Sequence, residues 1–129
     1  MMNISIILPT INEADNLKLL IPEIIKNLET VENLNFEIIV SDDGSTDSTK
    51  ELVTEINLKH SNVHLFERTS LPSLPMSIWD GIERSKSEYV LWMDADGSMP
   101  AATVKELALL LLQNPESVIV GSRFVEGGA

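Results

Sequence analysis

Tyr89-Val90-Leu91-Trp92-Met93-Asp94-Ala95-Asp96-Gly97 is the stretch from which the rest of the chain can be read. Its five leading residues predict a short strand buried on both faces, of the kind found inside a parallel sheet. Two aspartates follow, one residue apart, and Gly97 breaks the run. In extended chain, residues i and i+2 point the same way. Asp94 and Asp96 are therefore expected to aim their carboxylates at one point just past the strand. Two carboxylates that close repel each other unless a cation lies between them. A hard divalent ion, Mg²⁺ or Mn²⁺, suits such oxygens and keeps positions open for phosphate. Locally, a turn at Asp96-Gly97 and a solvated strand end at Asp94 explain the same residues.

Working outward, the pattern of apolar strand followed by polar loop recurs. Asn3 to Leu8 is a β-branched apolar run stopped by Pro9, and predicts a central strand. Pro9-Thr10-Ile11-Asn12-Glu13 is then a loop, in which Asn12 and Glu13 serve equally well as helix-start residues. Leu17, Leu20, Ile21, Ile24, Ile25 and Leu28 fall on one helical stripe, with Pro22 inside it predicting a kink or a fresh start. Phe36 to Val40 is a second strand, and Ser41-Asp42-Asp43-Gly44-Ser45 a tight strand-to-helix turn. One of the two aspartates is expected to cap that turn and leave the other for a ligand. Ser48 and Glu51 have the spacing of a capping box, and Leu52, Val53 and Ile56 are expected to face inward.

Val63 to Phe66 predicts a third strand, Arg68 to Pro75 a loop, and Met76 to Lys86 a helix with Ile78, Trp79 and Ile82 toward the core. After the opening stretch, Pro100 sits at a helix start. Val104, Leu107, Ala108 and Leu111 form that helix's buried stripe, and the Leu109 to Leu112 run leaves apolar surface. Ser117 to Val120 predicts a fifth strand, ended by Gly121-Ser122-Arg123. His60 and His64 have no acidic or histidine cluster near them in sequence and are expected at the surface or its boundary. Strands alternating with helices imply a mostly parallel sheet with helices on both faces. Ligands of such sheets bind beyond the strands' carboxyl ends. Pro9 to Glu13, Asp42-Asp43, Asp94-Asp96 and Arg123 all follow strands, so they are expected to collect along one rim.

Composition narrows the partners. The 129 residues suit one domain, and a 43% hydrophobic content supplies a core. A formal net charge of −11 excludes nucleic acid and an anionic membrane surface as partners of this segment, since both require a basic patch. A phosphate-bearing ligand then needs a metal or a few placed cations to offset the field. The chain has no cysteine, which removes disulfides, thiolate zinc sites and cysteine nucleophiles and fits a reducing compartment. The apolar start lacks a preceding Lys or Arg and makes a poor signal peptide. No apolar run reaches membrane-spanning length. The segment is expected to be soluble and cytoplasmic, at the cytoplasmic face of a membrane if other parts of a longer protein anchor it there.

Ile6-Ile7-Leu8-Pro9-Thr10-Ile11-Asn12-Glu13, Ile39-Val40-Ser41-Asp42-Asp43-Gly44-Ser45, Met93-Asp94-Ala95-Asp96 and Gly121-Ser122-Arg123-Phe124 together resemble the family 2 inverting glycosyltransferases. The likeness is nearest to the branch holding dolichol-phosphate mannosyltransferase and the polyprenyl-phosphate glycosyltransferases. It covers nearly the whole chain, and order and spacing make the set specific where each piece alone is weak. The resemblance implies a Rossmann-like, A-type glycosyltransferase fold, with residues 1–129 as a single nucleotide-sugar-binding domain that is incomplete at its C-terminus. It implies a UDP- or GDP-sugar donor, a polyprenyl phosphate or saccharide acceptor, and a metal-assisted inverting displacement. It places Pro9, Ile11 and Glu13 in the nucleotide pocket, and Asp42 and Asp43 at the base or ribose. It puts Asp94, Ala95 and Asp96 at the diphosphate, with Asp94 and Asp96 holding Mg²⁺ or Mn²⁺, and Arg123 beside the donor. The catalytic base is expected outside this chain. The chain departs from the family at Ile11, where many members have tyrosine, and at Ser98, where the mannosyltransferase branch has glutamine. It departs again at Ser73-Leu74-Pro75 and Ser77, which replace a glycine-rich run and an alanine; Arg68 and Gly81 match.

Three other readings compete. A sugar-phosphate nucleotidyltransferase needs a glycine-rich loop after the first strand, and Pro9 to Glu13 has no glycine. A phospho-receiver module needs its acidic pair after the first strand, whereas here the pair follows the second. A non-catalytic, degenerate donor-binding or interaction domain is kept open by the altered loop at Ser73 to Pro75.

Overall fold

The computed structural model describes residues 1–116; the expected fifth strand at Ser117 to Val120 and Arg123 lie outside the described residues. The element order is β1 (Met2–Thr10), α1 (Ala14–Glu29), β2 (Leu34–Asp42), α2 (Thr49–Lys59), β3 (Val63–Glu67), α3 (Leu74–Arg84), β4 (Tyr89–Trp92) and α4 (Ala101–Gln113). The four strands form one sheet in the order β3-β2-β1-β4, and every pairing is parallel. The expected alternation thus takes shape as a doubly covered sheet. Its strand order steps outward from β1 to β3 and then jumps to β1's other side. That reversal opens a crevice at the carboxyl ends of β1 and β4, where adjacent connections leave for opposite faces.

Alternation along β1 divides the core. Ile4, Ile6 and Leu8 point to the face covered by α1, α2 and α4, with Ile38, Val40, Val53, Val63, Val104 and Ala108 in the same cluster. The predicted stripe of α1 is all buried there, from Leu17 to Leu28. Ser5, Ile7, Ile39 and Ser41 point the other way, where α3 packs on β1 and β2. Buried aliphatic side chains of this size contribute roughly 1.5–3 kcal/mol each, so this sheet is the rigid base on which the loops stand.

Five local expectations change. Strand β1 is not stopped by Pro9 but runs on to Thr10, with Pro9 and Thr10 paired to Ser41 and Asp42; the ladder with β4 ends at Ile7, so a proline there is tolerated as at a sheet edge. Helix α1 runs unbroken through Pro22, because that residue lies on the exposed side and the carbonyl it leaves unpaired, that of Lys18, faces water. Ser48 is the N-cap of α2 but makes no side-chain cap hydrogen bond, so the capping box with Glu51 does not form. Helix α3 starts at Leu74 and buries Ser77 and Gly81. Trp79 is about half exposed, with Ile78 and Ile82 only partly covered. The small residues win the inner face because α3 lies almost on β1: a Cβ on Gly81 would stand 2.5 Å from Ile7 Cγ2. Strand β4 is not buried on both faces either. Val90 and Trp92 are exposed, since β4 is the last strand of the described sheet and α3 lies over β1 and β2. The apolar surface expected near Leu109 is present, with Leu109 and Leu110 both exposed. His64 is exposed and His60 partly covered. Among the described residues, no helix is long and apolar enough to cross a membrane.

Candidate donor-binding site

Three loops leave the carboxyl ends of β1, β2 and β4 and meet around one cleft. A fourth, between β3 and α3, closes the side. The cleft has a volume of about 370 Å³ and is lined by Pro9, Thr10, Ile11, Glu13, Asp43, Pro72, Ser73, Leu74, Asp94, Ala95 and Asp96. Seven of the nine expected donor-site residues therefore share one cavity. The other two are Asp42, which does not line it, and Arg123, which lies outside the described residues.

The two aspartates after β2 divide their labour. Asp42 is buried, and both of its oxygens are taken. Oδ1 accepts from Thr10 Oγ1 at 2.7 Å and from the Ser45 hydroxyl; Oδ2 accepts from the amides of Gly44 and Ser45 at 3.2 and 2.9 Å. Gly44 supports this turn with φ +92, a backbone that side chains rarely tolerate. Asp42 is thus the turn former and does not line the cleft. Asp43 is the one that reaches the cleft. Arg68 binds its Oδ1, and the amide of Ser73 donates to its Oδ2 at 3.1 Å. Arg68 itself is buried. It also donates from Nε to Asp80 at 2.8 Å and from Nη1 to the Leu71 carbonyl at 3.3 Å. Its pKa is raised further by the Asp80 and Asp43 carboxylates, so it is a permanent cation that ties the second loop, the 68–73 loop and α3 together.

On the opposite side, Asp94 and Asp96 are exposed while Ala95 between them is buried. The strand ladder reaches as far as Met93, whose amide donates to Ile7 at 3.1 Å. The in-out alternation then persists beyond β4 and keeps both carboxylates on the cleft side. The Ser98 side chain, and then its amide donating at 2.9 Å, hold the Asp96 carboxyl below its ordinary value, so Asp96 is ionised at neutral pH. Gly97 turns the chain away with φ +85. No group of three or more acids or histidines able to hold a metal occurs among the described residues. Two carboxylates with no nitrogen or sulfur donor fit a hard cation that takes its remaining ligands from water and phosphate.

The sequence matches the family description "Glycosyl transferase family 2" over residues 5–129. The chain belongs to glycosyl transferase family 2. A dolichol-phosphate mannosyltransferase of Pyrococcus furiosus is 34% identical over 127 residues, covering 98% of this chain and 35% of that protein. A dolichyl-phosphate beta-glucosyltransferase of Trichomonas vaginalis is 33% identical over 125 residues, covering 91% of this chain and 37% of its own length. The chain therefore spans little more than a third of these family 2 relatives. Among solved structures, the mannosyltransferase PcManGT from Pyrobaculum calidifontis, in complex with GDP-Man and Mn²⁺, superposes with a TM-score of 0.67 at 25% identity. That match covers 84% of this chain and 32% of that one. TarS of S. aureus, in complex with UDP-GlcNAc, gives a TM-score of 0.67 at 23% identity, over 95% of this chain and 38% of that one. The fold is the A-type glycosyltransferase fold of these neighbours.

Against the family 2 expectations, several residues of the site were not foreseen. Thr10, Pro72, Ser73 and Leu74 line the cleft. Thr10 was part of the matching run, but its hydroxyl's partner, Asp42, is 32 positions away. Pro72 to Leu74 reach the cleft only because Arg68 and Asp43 draw their loop inward.

Proposed function

We propose that this chain is the donor-binding portion of a glycosyltransferase that uses a UDP- or GDP-sugar. The observation that carries the reading is the shared cleft, in which Pro9, Ile11, Glu13 and Asp43 face Asp94, Ala95 and Asp96 at the sheet's switch point. In this reading the Ile11 and Leu74 side flanks the nucleoside, Asp43 accepts from its polar edge, and Asp94 and Asp96 hold Mg²⁺ or Mn²⁺. The ion, when bound, would neutralise the nucleoside diphosphate that leaves as the acceptor attacks the anomeric carbon with inversion. Arg123 is assigned beside the donor on the resemblance alone. A polyprenyl phosphate is the first acceptor to test, because that lipid class stands in the names of the mannosyl- and glucosyltransferase relatives.

The test is a calorimetric screen of UDP-, GDP- and dTDP-sugars with and without Mn²⁺. Saturable binding of one nucleotide class that requires Mn²⁺, and that Asp96→Asn abolishes, supports the reading. Absence of binding to all three, or binding that ignores both Mn²⁺ and Asp96→Asn, overturns it.

A further inference from the structure

Neither of the first two helices caps itself. Glu13 is the N-cap of α1 and Ser48 that of α2, and neither side chain makes a cap hydrogen bond. For α1 the missing partner comes crosswise from the second loop, and for α2 it comes from Asp47, the residue before its N-cap. Asp47, in the second loop, accepts from the Ala14 amide that begins α1 at 3.1 Å. Its other oxygen accepts from the Thr49 amide at 3.0 Å and from the Thr49 hydroxyl. Asn12, in the first loop, ties down the second loop ahead of α2 rather than the helix itself: its Oδ1 accepts from the amides of Thr46 and Asp47 at 2.8 and 3.2 Å and from the Thr46 hydroxyl at 3.4 Å. The Asn12 amide in turn donates to the Ser45 hydroxyl at 2.8 Å. The contact requires Asn12 to hold φ +54, a left-handed backbone that asparagine tolerates better than most residues.

These bonds span 33 to 35 positions of sequence and join the loop that carries Ile11 and Glu13 to the one that carries Asp43. We propose that Asn12 and Asp47 are positioning residues, a two-part buckle that sets the two cleft walls as one rigid unit before a nucleotide arrives. Neither residue lines the cleft, so the buckle acts through Ile11, Glu13 and Asp43. This rests on the donor reading above. The physical benefit is preorganisation: loops already fixed lose less freedom on binding.

The variants are Asn12→Gly, which keeps the left-handed backbone and deletes the side chain, and Asp47→Ala, made in the full chain singly and together. Hydrogen exchange is followed in the free protein well below its melting temperature, and binding of UDP and of GDP is measured with Mn²⁺. Asn12→Gly should speed exchange of amides in both loops, residues 11–14 and 44–49, by about 10-fold, with β3 and α4 unchanged, since the three hydrogen bonds accepted by Asn12 Oδ1 are lost. It should also weaken the nucleotide that binds the parent by about 10-fold. Because both residues serve one device, the double variant should exchange no faster than the faster single. Unchanged exchange in the 44–49 loop would overturn the buckle. Faster exchange with unchanged affinity would also overturn it, leaving a merely structural contact. If the parent binds neither UDP nor GDP, the donor reading and the positioning role fall together, and the exchange data still decide whether the loops are locked.

Discussion

Asp42 and Asp47 show how much of this site's acidity is spent on the chain itself. Asp42 uses both oxygens as acceptors from four donors. An asparagine presents one acceptor oxygen whichever way its amide is turned, so Asp42→Asn sets an NH₂ against backbone or hydroxyl donors. The expected loss is about 1–3 kcal/mol of stability, read from urea unfolding, for a buried bond replaced by an unsatisfied one. Nucleotide affinity of the folded fraction should change less than it does in Asp43→Asn. Asp47 gives a pH dependence. The Thr49 hydroxyl first, then the amides of Ala14 and Thr49, hold its carboxyl below the ordinary aspartate value. A depressed folded pKa contributes stability that is present above the unfolded value near 3.8 and is lost as pH falls through the folded one. Acid titration of the parent and of Asp47→Ala should therefore differ in slope below the ordinary aspartate pKa, and run parallel at neutral pH. Coincident curves across the acid range would contradict this.

Among the elements, α3 sits close against the sheet. It lies on β1 through Gly81 and on β2 through a reciprocal pair: Ser41 Oγ donates to the Ser77 carbonyl at 2.7 Å, and Ser77 Oγ donates to the Ser41 carbonyl at 3.1 Å. Gly81→Ala would improve the helix's intrinsic propensity by up to about 1 kcal/mol. It would also drive a methyl into the branched methyl of Ile7, which is buried and can move away only by changing its χ1 rotamer or shifting the backbone. Overpacking of this kind costs about 1–3 kcal/mol, so the net expectation is a lower melting temperature. Ile7→Val deletes only the Cδ1 methyl, leaves the clashing Cγ2 in place and should not rescue it; Ile7→Ala should rescue in part. Movement of α3 would carry Ser73 and Leu74 with it, so donor-cleft affinity should fall along with stability.

At the scale of the whole molecule, the formal net charge of −11 opposes any anionic ligand. Two carboxylates at the cleft are too few to complete the shell of a hard divalent ion. Mn²⁺ alone should therefore bind weakly, and Mn²⁺ with a nucleoside diphosphate much more tightly, each supplying what the other lacks. Melting curves in Mn²⁺, in nucleotide and in both should show stabilisation well beyond the sum of the two single additions, as mass action requires for tight joint binding. Equal shifts with Mn²⁺ alone and with the pair would refute the two-ligand account.

The order of strands and helices was legible in the sequence because burial writes a period into it. Ile4 to Leu8 and Ile38 to Val40 are continuous where both faces are covered, and the α1 stripe repeats at helical spacing where one face is. The cleft residues could be named because they lie at or just past the carboxyl ends of strands, and parallel strands deliver those ends to one rim. What the sequence could not decide was which of two adjacent acids faces the cleft. Asp42 and Asp43 look alike in the chain, and only the approach of Thr10 to one and Arg68 to the other separates them. The same holds for the inner face of α3, where sequence favours Trp79 and distance favours Gly81. It holds too for Asn12, which reads locally as a helix-start residue of α1 but binds the second loop, and for the bond from the Ala14 amide to Asp47. Hydrogen bonds across 33 residues leave no local periodicity, so they appear only once the sheet has brought β1 and β2 side by side.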